Sequence, residues 1–261
     1  MSAPRWLIAP AVLGLALVVL PLVALVVRLD WASVPAAISS HEALSALSLS
    51  LTTAAAATAV CVALGVPLAL LIARADARLA GVLRAVVTLP LVLPPLVGGI
   101  ALLFLLGRSG LIGASLDTVG IRIPFTTGAV VIAQSFVAMP FLVIAVEGAF
   151  RTAGVRYEQV AATLGASRWT TFRRVTLPLV GPSLVAGIVL CFARALGEFG
   201  ATALFAGNQE GVTRTMPLAI YTAFNGGGIG QSTAIALSLL LVGVAILVLL
   251  AMRGWREDVA L

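Results

Sequence analysis

Long apolar runs separated by short charged segments make up nearly the whole chain. Arg5 and Arg28 are separated by 22 uncharged residues, Glu42 and Arg74 by 31, Arg84 and Arg108 by 23, Arg122 and Glu147 by 24, and Arg214 and Arg253 by 38. Between Val175 and Gln209 only Arg194 and Glu198 carry charge. A bilayer core of about 30 Å takes about 20 apolar residues as helix. The pattern therefore predicts six transmembrane helices, near 6–28, 45–73, 84–107, 125–147, 179–203 and 231–252. Helix is the form that closes its backbone hydrogen bonds within one segment, as hydrocarbon demands. The runs do not alternate apolar and polar positions, so a β-barrel does not fit. The first run exceeds the roughly 7–15 residues of a signal-peptide core and is read as a retained span.

Composition sharpens this picture. Of 261 residues, 61% are hydrophobic and 10% charged, against about 45–50% and a quarter in soluble domains. Too little polar surface remains to cover a globule. All 16 basic residues are arginine. Without lysine there is no Walker-type phosphate loop and no Schiff-base residue. One histidine, His41, and two cysteines, Cys61 and Cys191, are too few for a metal centre. No nucleophile is paired with a base inside a span, so neither catalytic nor metal-binding residues are expected. The net charge of +6 comes from arginines flanking the spans, not from a nucleic-acid surface. With the N-terminus inside, 11 arginines fall on the cytoplasmic side and 4 on the other, with Arg194 inside a span. That bias predicts that both termini are cytoplasmic. The chain reads as one all-α, polytopic membrane domain over residues 1–261.

Two connections stand out. The outer segment 205–230 ends in a glycine-rich run, Asn225 to Gly230, read as a turn before the last helix. The inner segment around 155–178, VRYEQVAATLGASRWTTFRRVTLP, is patterned. Tyr157, Val160, Ala161 and Leu164 fall on one face of a short helix. Gly165 permits the left-handed backbone that ends a helix, and Ser167 can cap a second one. Trp169, Phe172 and Val175 recur every three residues, and Pro178 closes the pattern. Periodicity alone fits an amphipathic elbow on the membrane surface as well as it fits a docking element.

This stretch resembles the signature loop of ABC importer permeases, the EAA loop. After Gly165 come nine residues and then Val175, Thr176, Leu177 and Pro178, as in that pattern. The first half departs from it: Gln159, Val160 and Ala161 stand where Glu-Ala-Ala is usual, and the acid is one place earlier, at Glu158. The resemblance implies the type I importer fold and a coupling elbow that docks on a separate ATPase. The coupling residues would be Glu158, Ala161, Ala162, Leu164, Gly165 and Ala166.

The run from Leu89 to Gly99, the Gly197-Glu198-Phe199-Gly200-Ala201-Thr202 run and the Thr213-Arg214-Thr215-Met216-Pro217 stretch resemble molybdate and tungstate permeases, with sulfate permeases as near relatives. The resemblance implies a homodimer in the bilayer of a bacterial cell membrane. It also implies two ATP-binding cassette subunits and an extracytoplasmic oxyanion-binding protein. This chain would hold no cofactor of its own, ATP and magnesium being bound by the partner. Translocation would run by alternating access. The alternatives are a sulfate or thiosulfate permease and, less favoured, an ion-coupled secondary transporter, for which no inverted repeat is visible.

Within the spans, Arg194 and Glu198 are four residues apart and on one face if helical. They are either a neutralising structural pair or a pair beside the translocation path. Pro94 and Pro95, with Gly98 and Gly99, are the best hinge candidates. Prolines at Pro67, Pro90, Pro140 and Pro182 read as the ordinary tolerance of membrane helices.

Overall fold

The computed structural model describes residues 5–154, 156–226 and 230–258. Among these, the ordered elements are all helical: α1 (Ile8–Val27), α2 (Val34–Ser39), α3 (His41–Arg74), α4 (Ala77–Val92), α5 (Pro95–Leu106), α6 (Gly113–Thr118), α7 (Thr127–Ala153), α8 (Arg156–Thr163), α9 (Arg168–Thr171), α10 (Leu177–Leu196), α11 (Gly200–Phe205), α12 (Met216–Phe224) and α13 (Gln231–Asp258). Five helices, counting Arg168–Leu196 as one, are long and apolar enough to cross a membrane, and a sixth span is possible only if the bent pair α4–α5 counts as one.

Local chemistry sets the helix starts. Ser40 opens α3 by accepting from the Ala43 amide, Asp76 opens α4 through the Arg78 and Leu79 amides, and Thr126 opens α7 through the Ala129 amide. Each satisfies donors that a helix start leaves free. At the far end of α7, Gly154 turns the chain with φ +64°.

The centre is a three-helix bundle of α3, α7 and α10. Its seam sets small residues of one helix against larger ones of the next: Ala54, Ala57, Cys61 and Ala69 on α3 meet Ala138, Leu142, Val143 and Val146 on α7. A Cβ on Gly187 of α10 would stand 3.2 Å from Leu142 and Ala145. Small residues let membrane helices approach until dispersion holds them, since lipid supplies no hydrophobic drive between them. Cys61 and Cys191 are both buried and free. By contrast, α1 has no buried residue.

Two spans and the end of the elbow differ from the sequence expectation. The run 84–107 is not one straight helix, because α4 and α5 meet at 113°. The reason lies in the two prolines: Leu93 precedes Pro94, and Pro94 precedes Pro95. A residue before proline is pushed out of the helical region, and both are extended, with ψ near 135°. The run 179–203 breaks at Gly197–Phe199, so Glu198 lies in a gap between α10 and α11 rather than on a helical face. Pro178 does not close the elbow either. The helix runs on from α9 through a π-helical turn, Phe172–Thr176, into α10. In that turn the Leu177 amide bonds the Phe172 carbonyl, five residues back. The wider turn accommodates a proline that would break a tighter one.

Other boundaries move outward: α3 and α7 run past the expected 45–73 and 125–147, and α13 past 231–252. At about 1.5 Å per residue, the 34 residues of α3 exceed the hydrocarbon thickness, so its charged ends reach water. Ahead of the glycine run, the segment 205–230 also contains α12. Residues 227–229 of the glycine run, and Val155 of the elbow, lie outside the described residues.

The arginine bias generates a topological test. Thr118 lies at the end of α6 and Thr152 in the last turn of α7, both exposed. In a cysteine-free background, single cysteines at these positions are expected to react with impermeant maleimide from opposite sides. Labelling of both from one side would overturn the six-span arrangement.

Candidate functional site

Two places in the fold concentrate the chemistry, one at each end of α10. The first is the elbow. Gly165 has φ +80°, and its amide bonds the Ala162 carbonyl while that of Ala166 bonds Ala161. Ser167 caps α9 by accepting from the Thr170 amide at 3.2 Å. The face carrying Tyr157, Val160 and Leu164 points away from the bundle: Tyr157 is 57% exposed and Leu164 82%. Trp169, stacked 6.0 Å from Phe172, is also exposed. Ala162 and Gly165 are exposed, while Ala161 and Ala166 are half-buried. Glu158 is turned inward. Its oxygens accept from Arg74 Nη2 at 2.7 and 2.8 Å, and Oε1 also accepts from the Thr176 hydroxyl at 2.6 Å.

The second place is a junction of broken helices. The bend of α4–α5 and the gap between α10 and α11 abut. A Cβ on Gly200 would stand 2.6 Å from Pro95 Cβ, and one on Gly99 2.9 Å from the Ala201 carbonyl oxygen. Gly98 faces Phe136 at 3.1 Å in the same sense. Gly98 and Gly99 therefore serve close packing within α5, while the bend itself falls at Leu93–Pro94.

Glu198, 1% exposed, accepts from the Ala201 amide at 2.9 Å and pairs with Arg194 at 2.6 Å. Its carboxylate thus opens α11 and neutralises the arginine. Arg194 also lines a cavity of about 160 Å³ with Pro94, Pro95, Gly98, Phe136 and Phe141. Residues that the sequence placed on separate spans share one cavity.

Several charged partners were not evident in the sequence. Glu147, read as a span boundary, is buried and held by Arg84 Nε at 3.1 Å and by Arg151 at 3.6 Å. On the opposite side Arg214 pairs with Glu42 at 2.6 Å and donates to Asn208 at 3.0 Å, which in turn donates to Thr222. This cluster ties the segment before α12 to the start of α3. Asp117, on α6, is bonded by the guanidinium of Arg122 beyond the helix at 2.7 Å, which holds that carboxyl below its ordinary value. Gln134 on α7 is fully buried with neither amide atom partnered among the described residues; nothing in the packing explains it.

Residues 65–253 match the family of binding-protein-dependent transport system inner membrane components. The chain belongs to this family. The permease is 56% identical to the molybdenum transport system permease protein ModB of Mycobacterium tuberculosis over 247 residues, 95% of this chain and 92% of that protein. It is 41% identical to the Escherichia coli protein of the same name over 206 residues, 78% of this chain and 90% of that one. Among solved structures it is similar to a chain of a bacterial alginate ABC transporter in complex with an alginate pentasaccharide-bound periplasmic protein. The TM-score is 0.72 at 18% identity, covering 97% and 95% of the two chains. A chain of a methionine ABC transporter gives 0.64 at 19%, covering 83% and 95%. These likenesses show an ABC importer permease fold. The family and the apolar helices make the permease a multi-pass protein of the bacterial cell membrane.

The junction generates a test. Arg194→Met leaves Glu198 as a lone buried charge, at a cost of about 3–5 kcal/mol, and is expected to deplete assembled permease on size-exclusion chromatography. The double variant Arg194→Met with Glu198→Gln keeps an oxygen for the Ala201 amide and is expected to assemble. Its uptake rate then decides between the two roles. Normal uptake makes the pair purely structural, and assembly without uptake places it on the path.

Proposed function

We propose that this chain is the membrane-spanning subunit of an ATP-driven importer that carries molybdate, or the similar tungstate, into the cytoplasm. Two copies form the path by alternating access. Two ATP-binding cassette subunits bind ATP and magnesium and perform hydrolysis, so this chain is not itself an enzyme. An extracytoplasmic binding protein delivers the oxyanion and supplies most of the discrimination. The relatives named for molybdenum transport support molybdate over sulfate.

One observation carries the coupling role: the elbow presents an unpartnered apolar face. Tyr157, Val160 and Leu164 lie exposed on a short helix whose exit is set by the left-handed Gly165. Such a face gains free energy when covered by a partner. A cleft on an ATPase fits a single rigid turn of this kind, and closure of that cleft would displace the elbow. A helix lying on the membrane surface is the competing reading, distinguished by copurification of an ATPase with the tagged permease.

At the junction, the neutralised pair suits a path for a dianion. A fixed unpaired cation would bind the anion too strongly for release, and conduction requires binding weak enough to leave. Glu198 offsets Arg194, which lines the cavity.

Gly165 supplies the test of the elbow. No atom lies within 4 Å of its ideal Cβ, so a substitution there meets strain from φ alone, of about 1–3 kcal/mol for a β-branched residue. Gly165→Val is expected to reach the membrane yet lose ATP-dependent molybdate uptake. Gly165→Asn, which tolerates the left-handed region, is expected to retain it. Normal uptake by the valine variant would remove the elbow from the coupling mechanism. Calorimetry of the binding protein with molybdate, tungstate and sulfate tests the substrate, and preference for sulfate would overturn molybdate.

A further inference from the structure

Glu158 and Gln159 both line a cavity of about 440 Å³ beside α8, together with Arg74 and Thr176. Gln159 is exposed and Glu158 half-buried, its side chain 21% exposed. Of the two, the acid is the one bonded across the cavity to the bundle. There the carboxylate takes a two-oxygen contact from Arg74 and a third bond from the Thr176 hydroxyl. Arg74 is the last residue of α3, and Thr176 ends the buried side of the π-helical turn that feeds α10. These partners are 84 and 18 residues away along the chain.

Helix α8 itself has no buried residue. Packing therefore holds it weakly, and a helix attached through its chain ends would tilt under load without moving the bundle. One Arg74 nitrogen is shared between the two carboxylate oxygens and the Thr176 hydroxyl holds Oε1 from another helix, and anchorage from two elements fixes direction as well as distance. Arg74 is about half exposed, and pairs of that kind contribute little to stability. The contribution of this contact is thus geometric rather than energetic, and its removal leaves the fold intact.

We propose that Glu158 is a positioning residue of the coupling elbow that acts inward. It joins α8 to Arg74 and Thr176, so that displacement of the elbow moves α3 and α10 together, and it does not touch the ATPase. This rests on the elbow being the ATPase-docking element.

The test uses the complete transporter, with its ATPase and binding protein, in proteoliposomes. ATP hydrolysis and molybdate uptake are measured in the same vesicles for the wild type, Glu158→Gln, Thr176→Val and the charge exchange Arg74→Glu with Glu158→Arg. In all variants the ATPase is expected to copurify in full amount with Tm unchanged. In Glu158→Gln the ATP consumed per molybdate is expected to rise about tenfold, the size of an ordinary coupling free energy between sites. The charge exchange is expected to recover much of that loss, and Thr176→Val to shift the ratio in the same direction as Glu158→Gln. Loss of ATPase association in Glu158→Gln would overturn the proposal, since the carboxylate would then face the partner. An unchanged ratio in Glu158→Gln, or in Thr176→Val should the first variant not fold, would also overturn it. So would a fall in uptake matched by a fall in Tm. These outcomes leave the elbow reading standing, whereas a wild type that copurifies with no ATPase removes that reading itself.

Discussion

Hydrocarbon offers no hydrogen bonds, so backbone released by a break in a membrane helix has to be enclosed by protein. The architecture of this permease turns on how it meets that demand twice. The proline-driven bend between α4 and α5 and the gap between α10 and α11 are placed against each other, Pro95 on Gly200 and Gly99 on Ala201. Each break covers the other. Glycine is required at both contacts because any Cβ would collide there. Glu198 supplies an acceptor for the Ala201 amide in the first turn of α11, and Arg194 offsets its charge.

The remaining structure is a stiff centre with polar fastenings at its ends. The seam between α3, α7 and α10, with small residues of α3 set against Leu142, Val143 and Val146, closes by near approach of the helices. Ion pairs are then found where the helices approach water: Arg74 with Glu158 and Arg84 with Glu147 on one side, Arg214 with Glu42 on the other. A bundle built this way moves as a block, and adjustment is concentrated at the fastenings and breaks. The two ends of α10 are the places where a cytoplasmic partner and a transported anion would each be felt, joined by a helix of 20 residues.

The sequence showed the spans because apolar runs of 22 to 38 residues have one reading in a membrane protein. The elbow was equally legible, since Gly165 and Ser167 are residue types with specific backbone roles. What hydropathy could not show was backbone geometry inside an apolar run. Leu91, Val92 and Leu93 count alike for burial whether or not a helix continues through them, so 84–107 read as straight although Pro94 and Pro95 marked its bend. The gap at Glu198 was hidden for the same reason. Pro178 read as a stop because a π-helical turn leaves no trace in hydrophobic spacing. Partnerships were the least visible: Glu158 meets a residue 84 positions away, and Glu147 looked like the end of a span because a charge buried by a distant arginine looks the same in sequence as one in water.

The wide turn at Phe172–Thr176 has a consequence for how the permease tolerates change in length. A π-helical turn holds one residue more than an α-helical turn, and that residue is slack. Loss of a single residue between Ser167 and Thr176 would remove that slack and set Pro178 in an α-helical turn, which its ring would kink or break. The elbow would keep its sequence and its caps, yet be joined to α10 through a kink that presents Trp169 and the α8 face to a different quarter of the cytoplasm. Aim, more than composition, is therefore the property of this loop that a short deletion would destroy.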